Sequence, residues 1–180
     1  MKLVVDSGST KTDWGFFSNS DDLQVIKTQG INPCHQSADE VKDIIRHELV
    51  SNVQSTNPAA VDKLFYYGAG CATAQICAQM AGILKEFFPN ASIQVDSDML
   101  GAARALCGDS EGVACVLGTG SNSCLYNGTE ITDQVPSLGY ILGDEGSGAA
   151  LGRRFISDCL KRQLPESVSK EFMERYSLSK

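Results

Sequence analysis

Apolar positions come in short runs separated by turn-forming stretches along the first part of the chain. Residues 2–6 and 12–17 are short, apolar and flanked by turn chemistry, so they read as strands. "LQVIKTQ" (23–29) alternates well enough to complete a three-stranded antiparallel meander. From Ser37, "SADEVKDIIRHELVSNV" combines an S-x-x-E capping box with apolar residues at 41, 44, 45 and 49, a helical period. "KLFYYGAG" (63–70) reads as a buried strand entering a glycine loop, and "TAQICAQMAGILKEFF" (73–88) as a helix stopped by Pro89. "SIQVD" (92–96) is a strand and "DMLGAARAL" (98–106) a short helix ended by Gly108.

The order then repeats its beginning. "GVACVLGTGSNSCLYNGTEIT" (112–132) is strand, glycine turn, strand, with Asn127-Gly128 marking the next hairpin. "YILGDEGSGAALGRRFISDCLKRQL" (140–164) enters a helix through another glycine-rich loop. Both halves therefore open on a strand, a Gly/Ser/Thr turn and a strand, at Asp6–Thr12 and at Gly118–Asn122. The pattern predicts two related α/β lobes, 1–112 and 113–180. The second has three strands and one helix, and "SKEFMERYSLSK" is charged and lacks a terminating glycine, so the chain is expected to stop inside its second lobe.

Composition narrows the partners. Fifteen basic against twenty-two acidic residues give a net charge of −7, which repels nucleic acid and anionic membrane. No apolar run approaches a membrane span, and "MKLVVD" reaches an acidic residue too soon for a signal peptide, so a cytoplasmic protein is expected. The seven cysteines are odd in number and form no CxxC pair; they read as reduced thiols, several of them small core residues.

Several chemistries are excluded by motif: no GxxxxGK[ST], no GxGxxG after a strand, no HExxH and no Cys/His zinc spacing. His35 and His47 read as incidental surface residues. What remains is the turn in "DSGSTKTDW", where successive backbone N–H groups can converge on an anion. Thr10 and Thr12 can add hydroxyls, Lys11 a point charge, and Asp6 can hold a hydrated Mg²⁺. A plain hairpin explains one such turn equally well. A second, Gly118–Asn122, at the equivalent place in a second lobe makes a polyphosphate clamp the better reading.

Asp98 sits where a helix N-cap would, which alone explains it and predicts a lowered pKa. Asp96, two residues upstream on the same face, competes with it for any catalytic role. Asp144 and Glu145 open a helix, where dipole complementarity accounts for Glu145 and leaves Asp144 open to a sugar-hydroxyl role.

The two facing turns resemble the sugar kinase, Hsp70 and actin superfamily. In this order "DSGSTKTDW", "VDSDMLGAA", "LGTGSN" and "GDEGSGAALG" resemble the BadF/BadG/BcrA/BcrD ATPase family, nearest its N-acetylglucosamine kinase branch. The resemblance implies ribonuclease H-like, actin-type lobes: an α/β fold with a mixed sheet, an antiparallel meander and helices on both faces. It implies ATP and Mg²⁺ as cofactors, an amino sugar phosphorylated at its 6-hydroxyl, and leaves a homodimer open. Carried over by position, Gly8, Ser9, Thr10 and Lys11 form one phosphate loop, and Gly118, Thr119 and Gly120 the other. Asn32 of "GINPCH" matches a sugar-binding asparagine, Ser121, Asn122 and Asp144 would reach sugar hydroxyls, and Asp98 matches the catalytic aspartate. Asp6 would hold the metal through water. Ser7 and Ser9 stand where the family often has glycine, and the adenosine-holding glycine segment belongs later than residue 180. Little turnover is therefore expected from residues 1–180 alone. Two other activities stay open: an ATPase activating a 2-hydroxyacyl-CoA dehydratase, and a nucleotide-binding scaffold. Cys107, Cys115 and Cys124 lie in apolar sequence, which argues against the iron–sulfur cluster of the activators.

Overall fold

The computed structural model describes residues 1–18, 22–53 and 57–177. Alternation sets the first sheet: in β1 (Lys2–Ser7) Leu3, Val5 and Ser7 are buried, whereas Lys2 and Asp6 are exposed. β2 (Lys11–Phe17) runs antiparallel to β1, and β3 (Leu23–Gln29) antiparallel to β2, the expected meander. β4 (Lys63–Gly68) lies parallel to β1 on its other side, and β5 (Ser92–Ser97) parallel to β4, in the order β3-β2-β1-β4-β5.

One face of this mixed sheet carries Leu3, Val5, Trp14, Phe16, Leu64 and Tyr66, which form the main core with two helical segments. α1 (Ala38–Ile44) opens on the expected capping box, Ser37 with Glu40. It does not continue as α-helix to residue 53; it widens into a π-helical turn over Ile45–Leu49 and tightens into a 3₁₀ turn over Val50–Asn52. Val41, Ile44, Ile45 and Leu49 all stay buried through these changes of pitch. α2 (Ala74–Phe87) is capped by Thr73 and contributes Met80, Ile83 and Leu84.

α3 (Asp98–Cys107) packs on the opposite face, so close to the sheet that a Cβ at Gly101 would lie 2.7 Å from the Tyr67 ring. Arg104 fixes it there by donating to Tyr67 Oη at 3.0 Å and pairing with Asp96 at 3.5 Å. Beyond α3 lies a second sheet of β6 (Glu111–Leu117), β7 (Ser121–Asn127) and β8 (Ile131–Gln134), antiparallel and in that order. Met99 and Ala103 of α3 share a small core with Ala114, Cys124 and Tyr126, so one helix joins the two sheets. The other face of the second sheet leaves Val113, Leu117 and Leu125 exposed.

α4 (Gly139–Leu142) and α5 (Gly148–Leu160) follow, and then α6 (Glu166–Arg175), which runs into the charged segment 169–180 not assigned to a helix from sequence. α6 ends without glycine because Ser177 itself adopts the left-handed conformation after the last turn, at φ +51°. Its Phe172 meets Phe155 of α5 and Tyr176, each pair of rings 5.0 Å apart. Among the described residues, no helix is long and apolar enough to cross a membrane. The seven cysteines are unbridged.

Candidate active site

Two turns project from the two sheets and meet. Gly8, Ser9 and Thr10 join β1 to β2, and Gly118, Thr119 and Gly120 join β6 to β7. Their tips approach so closely that Thr10 Oγ1 and Thr119 Oγ1 lie 3.4 Å apart. Each turn closes with the amide of its first glycine, Gly8 N–H to Lys11 O and Gly118 N–H to Gly120 O, both at 2.9 Å. Among the described residues, the amides of Ser9, Thr10, Thr119 and Gly120 donate to no protein acceptor. Unengaged amides on two turns whose tips meet leave donors available to an anion.

The glycines differ in why they are there. A Cβ at Gly30 would fall 2.3 Å from the carbonyl carbon of Ser9, so the fold itself needs that glycine. A Cβ at Gly118 would meet nothing within 4 Å, and one at Gly8 only an ordinary contact with Lys11 O at 3.5 Å. Neither has positive φ. No packing or conformational demand of the chain accounts for glycine at 8 and 118, and close approach of a ligand to the backbone would. Ser7 and Ser9 also avoid positive φ, so serine sits in this turn without backbone strain.

Not every hydroxyl of the first turn faces outward. Ser7 and Thr12 are fully buried, bonded to each other at 2.8 Å, and Ser7 also donates to Ile31 O. Thr12 therefore braces the turn from within instead of offering a donor to a ligand. Ser9 Oγ accepts from Asn32 Nδ2 at 3.0 Å, while Asn32 Oδ1 accepts from Cys34 N–H. Asn32 thus ties the first turn to the loop that packs on Gly70, at the rim of the adjoining cleft. The Lys11 ammonium lies on the Asp13 carboxylate at 2.9 Å, which holds its pKa above the ordinary lysine value.

That cleft, of about 670 Å³, runs between the two sheets and contains Asp98. Gly70, Cys71, Thr73 and Cys77 form one wall, and Asn122, Ile131, Gln134 and Ser137 the other. Its size is in the range of small-molecule binding sites. Asp98 is not the N-cap expected from sequence. Ser97 caps α3, accepting from Leu100 N–H at 3.2 Å, and Asp98 is the first helical residue. Its carboxylate accepts from Met99 N–H at 2.9 Å, but it is half-buried, and burial, with the nearby Asp6 carboxylate, raises its pKa above the ordinary aspartate range. The shift is upward, not the downward one that capping implied, and it suits a base better. Asp96, the competitor, is occupied by Arg104 and by Gln94, whose Nε2 donates to it at 2.7 Å. Cys71, on the same wall as Asp98, is buried, and its thiol is pushed up to about 12.

Asp6 lies on the polar face of the first sheet, exposed and without an ion pair among the described residues. No group of three or more His, Cys, Asp or Glu side chains among the described residues could hold a metal ion directly. A single exposed carboxylate at a strand end does fit Mg²⁺, which keeps most of its water and takes one or two carboxylates. Asp144 is not at a helix start; it precedes the Ser147 N-cap of α5 in a left-handed conformation, φ +61°. Its Oδ1 accepts from Ser121 N–H at 3.1 Å. With Ser121 and Asn122 it lines a smaller cavity of about 340 Å³; only Asn122 of the three also reaches the Asp98 cleft. Gln134 and Ser137 gave no sequence signal: they sit in "ITDQVPS", which carries no motif, and reach the cleft only because β8 packs beside β7.

A protein of Porphyromonas gingivalis, named as a candidate N-acetylglucosamine kinase, is 48% identical and superposes with a TM-score of 0.94 over 99% of this chain and 63% of its own. A protein of Chromobacterium violaceum with the same kind of name is 19% identical, with a TM-score of 0.69 over 96% of this chain and 62% of its own. MreB 5 of Spiroplasma citri, in its AMPPNP-bound structure, is 8% identical and shares the fold with a TM-score of 0.55, covering 77% of this chain and 53% of that one. The chain spans less than two thirds of the length of these structures. No family model and no curated protein matches it. The chain has the α/β fold of the actin-like ATPases.

Proposed function

We propose that the protein is an ATP-dependent sugar kinase that phosphorylates an amino sugar, N-acetylglucosamine, at its 6-hydroxyl. What carries this reading is the pairing of two facing turns, with four unengaged amides, and a carboxylate of raised pKa in the adjoining cleft. Phosphate donors on one side and a base on the other are what transfer of a phosphoryl group to an alcohol requires. The relative of Porphyromonas gingivalis, by its name, supports the choice of sugar. The members of the motif set then divide as the BadF/BadG resemblance implies, with lobes 1–112 and 113–180 closing on the substrates.

In this mechanism the amides of Ser9, Thr10, Thr119 and Gly120 hold the phosphate chain, and their hydroxyl-bearing neighbours orient it. Thr10 and Thr119 must part to admit it, since their hydroxyls now touch. Asp6 would hold Mg²⁺, and the ion would supply neutralisation of the charge developing on the transferred group. Asn122 and the opposing wall at Gly70–Thr73 position the ring. Asp98 accepts a hydrogen bond from the 6-hydroxyl and takes its proton as the oxygen attacks. Closure of the cleft excludes water, which otherwise competes as acceptor.

The full-length gene product, given Mg-ATP and a panel of amino sugars, is expected to release ADP only when sugar is present, fastest with N-acetylglucosamine. ADP release at the same rate without sugar would replace this reading with that of a plain ATPase.

A further inference from the structure

The first turn is fastened to the loop after β3 by three hydrogen bonds. Gly30 N–H donates to Thr10 O at 3.1 Å, and the buried Ser7 hydroxyl donates to Ile31 O at 3.1 Å. The third is made by side chains alone: Asn32 Nδ2 donates to Ser9 Oγ at 3.0 Å. Asn32 cannot be turned end for end there. Its Oδ1 accepts from Cys34 N–H at 3.0 Å, and a flipped amide would set N–H against N–H. The same oxygen packs on the cleft wall, where a Cβ at Gly70 would lie 2.3 Å from it. Ser9, Asn32 and Gly70 therefore form one contiguous path from the turn to the wall of the cleft that contains Asp98.

We propose that Ser9 is a positioning residue that couples the two substrates: its hydroxyl, set on the phosphate turn, orients Asn32 on the sugar side, so that nucleotide and sugar each tighten the binding of the other. The inference rests on the kinase reading above. Asn32 keeps capacity for a sugar hydroxyl, since one of its two amide hydrogens and one lone pair of Oδ1 remain open. Ser9 is exposed, and among the described residues nothing accepts its own hydroxyl proton. When that proton is given to a phosphate oxygen, the Ser9 oxygen becomes a stronger acceptor for Asn32, because successive hydrogen bonds polarise one another. Linkage makes the effect reciprocal: sugar held on Asn32 tightens the turn's hold on phosphate by the same factor. A serine that merely occupies an exposed turn would couple nothing.

The test is calorimetric binding of N-acetylglucosamine to the full-length gene product, with and without saturating Mg²⁺ and AMPPNP, for wild type, Ser9→Ala and Ser9→Thr. Wild type should bind the sugar about fivefold more tightly when the nucleotide analogue is present, the scale of one neutral hydrogen bond. Ser9→Ala should bring that ratio close to one. Ser9→Thr keeps a hydroxyl and should restore it. The alanine variant should keep the wild-type urea midpoint, since the Ser7 and Gly30 bonds to the loop remain. An unchanged ratio in Ser9→Ala would overturn the inference, as would a threonine variant no better than alanine. A lost ratio accompanied by a lowered midpoint would do the same, by giving Ser9 a structural role. Wild type that binds both ligands without coupling would overturn the inference and leave the kinase reading standing. Wild type that binds neither would overturn the kinase reading and the inference with it.

Discussion

Asp98 shows how one residue's position sets both its chemistry and its cost to the fold. Its motif marks it as the candidate base, but its environment differs from the one the sequence implied. Ser97 and Asp98 are both good N-caps, and only the backbone register, which puts Ser97 Oγ on Leu100 N–H, decides between them. As the first helical residue Asp98 is half-buried, and desolvation outweighs the Met99 amide. A raised folded-state pKa means that the folded protein binds the proton more tightly than the unfolded chain does. Below about pH 4 both states are protonated and Asp98 costs nothing; as pH rises through the folded pKa, stability is lost. Asp98→Asn should therefore be more stable than wild type at neutral pH, with the difference closing in acid, as followed by urea midpoints across pH. Its transfer rate should fall by about a hundredfold or more. Parallel stability profiles for the two proteins would mean that Asp98 is not ionised at a cost in the fold.

Hairpins and helices were legible wherever a local pattern determines them. The meander, the capping box at Ser37 and Glu40, and the Thr73–Phe88 helix follow from alternation, caps and Pro89. α6 was not, because the rule that helices end at glycine failed at Ser177, and Arg162 plays the same part after α5. The turns were legible as turns, but which groups face outward was not: Ser7 and Thr12 are as polar as Ser9 and Thr10, yet strand alternation buries them. The glycine geometry makes the elements separable by experiment. Gly8→Ala and Gly118→Ala should change unfolding free energy by no more than about 1 kcal/mol, since neither Cβ meets an obstacle. Both should weaken Mg-ATP binding about tenfold in calorimetry, the scale of one or two lost amide contacts. Gly30→Ala, whose Cβ would overlap the Ser9 backbone, should cost about 2–3 kcal/mol of stability. Nucleotide affinity unchanged in both turn variants would mean that the turns do not hold phosphate.

For the molecule as a whole, function depends on how α3 joins the two sheets. It buries Met99 and Ala103 against the second sheet, and Gly101 and Arg104 lock it to Tyr67 on the first. Asp98, at its start, therefore sits at the junction, in the cleft whose walls come from both sides. Sequence repetition suggested two lobes, but not that the cleft's far wall would be built by Gln134 and Ser137. That wall is set by long-range packing with no local signature. The most direct test is the identity of the product. Full-length protein with Mg-ATP and N-acetylglucosamine should yield the sugar carrying phosphate on its 6-oxygen, identified by phosphorus–proton NMR coupling, and Asp98→Asn should yield almost none. ADP appearing without any sugar phosphate, or Asp98→Asn forming the product at the wild-type rate, would contradict the account.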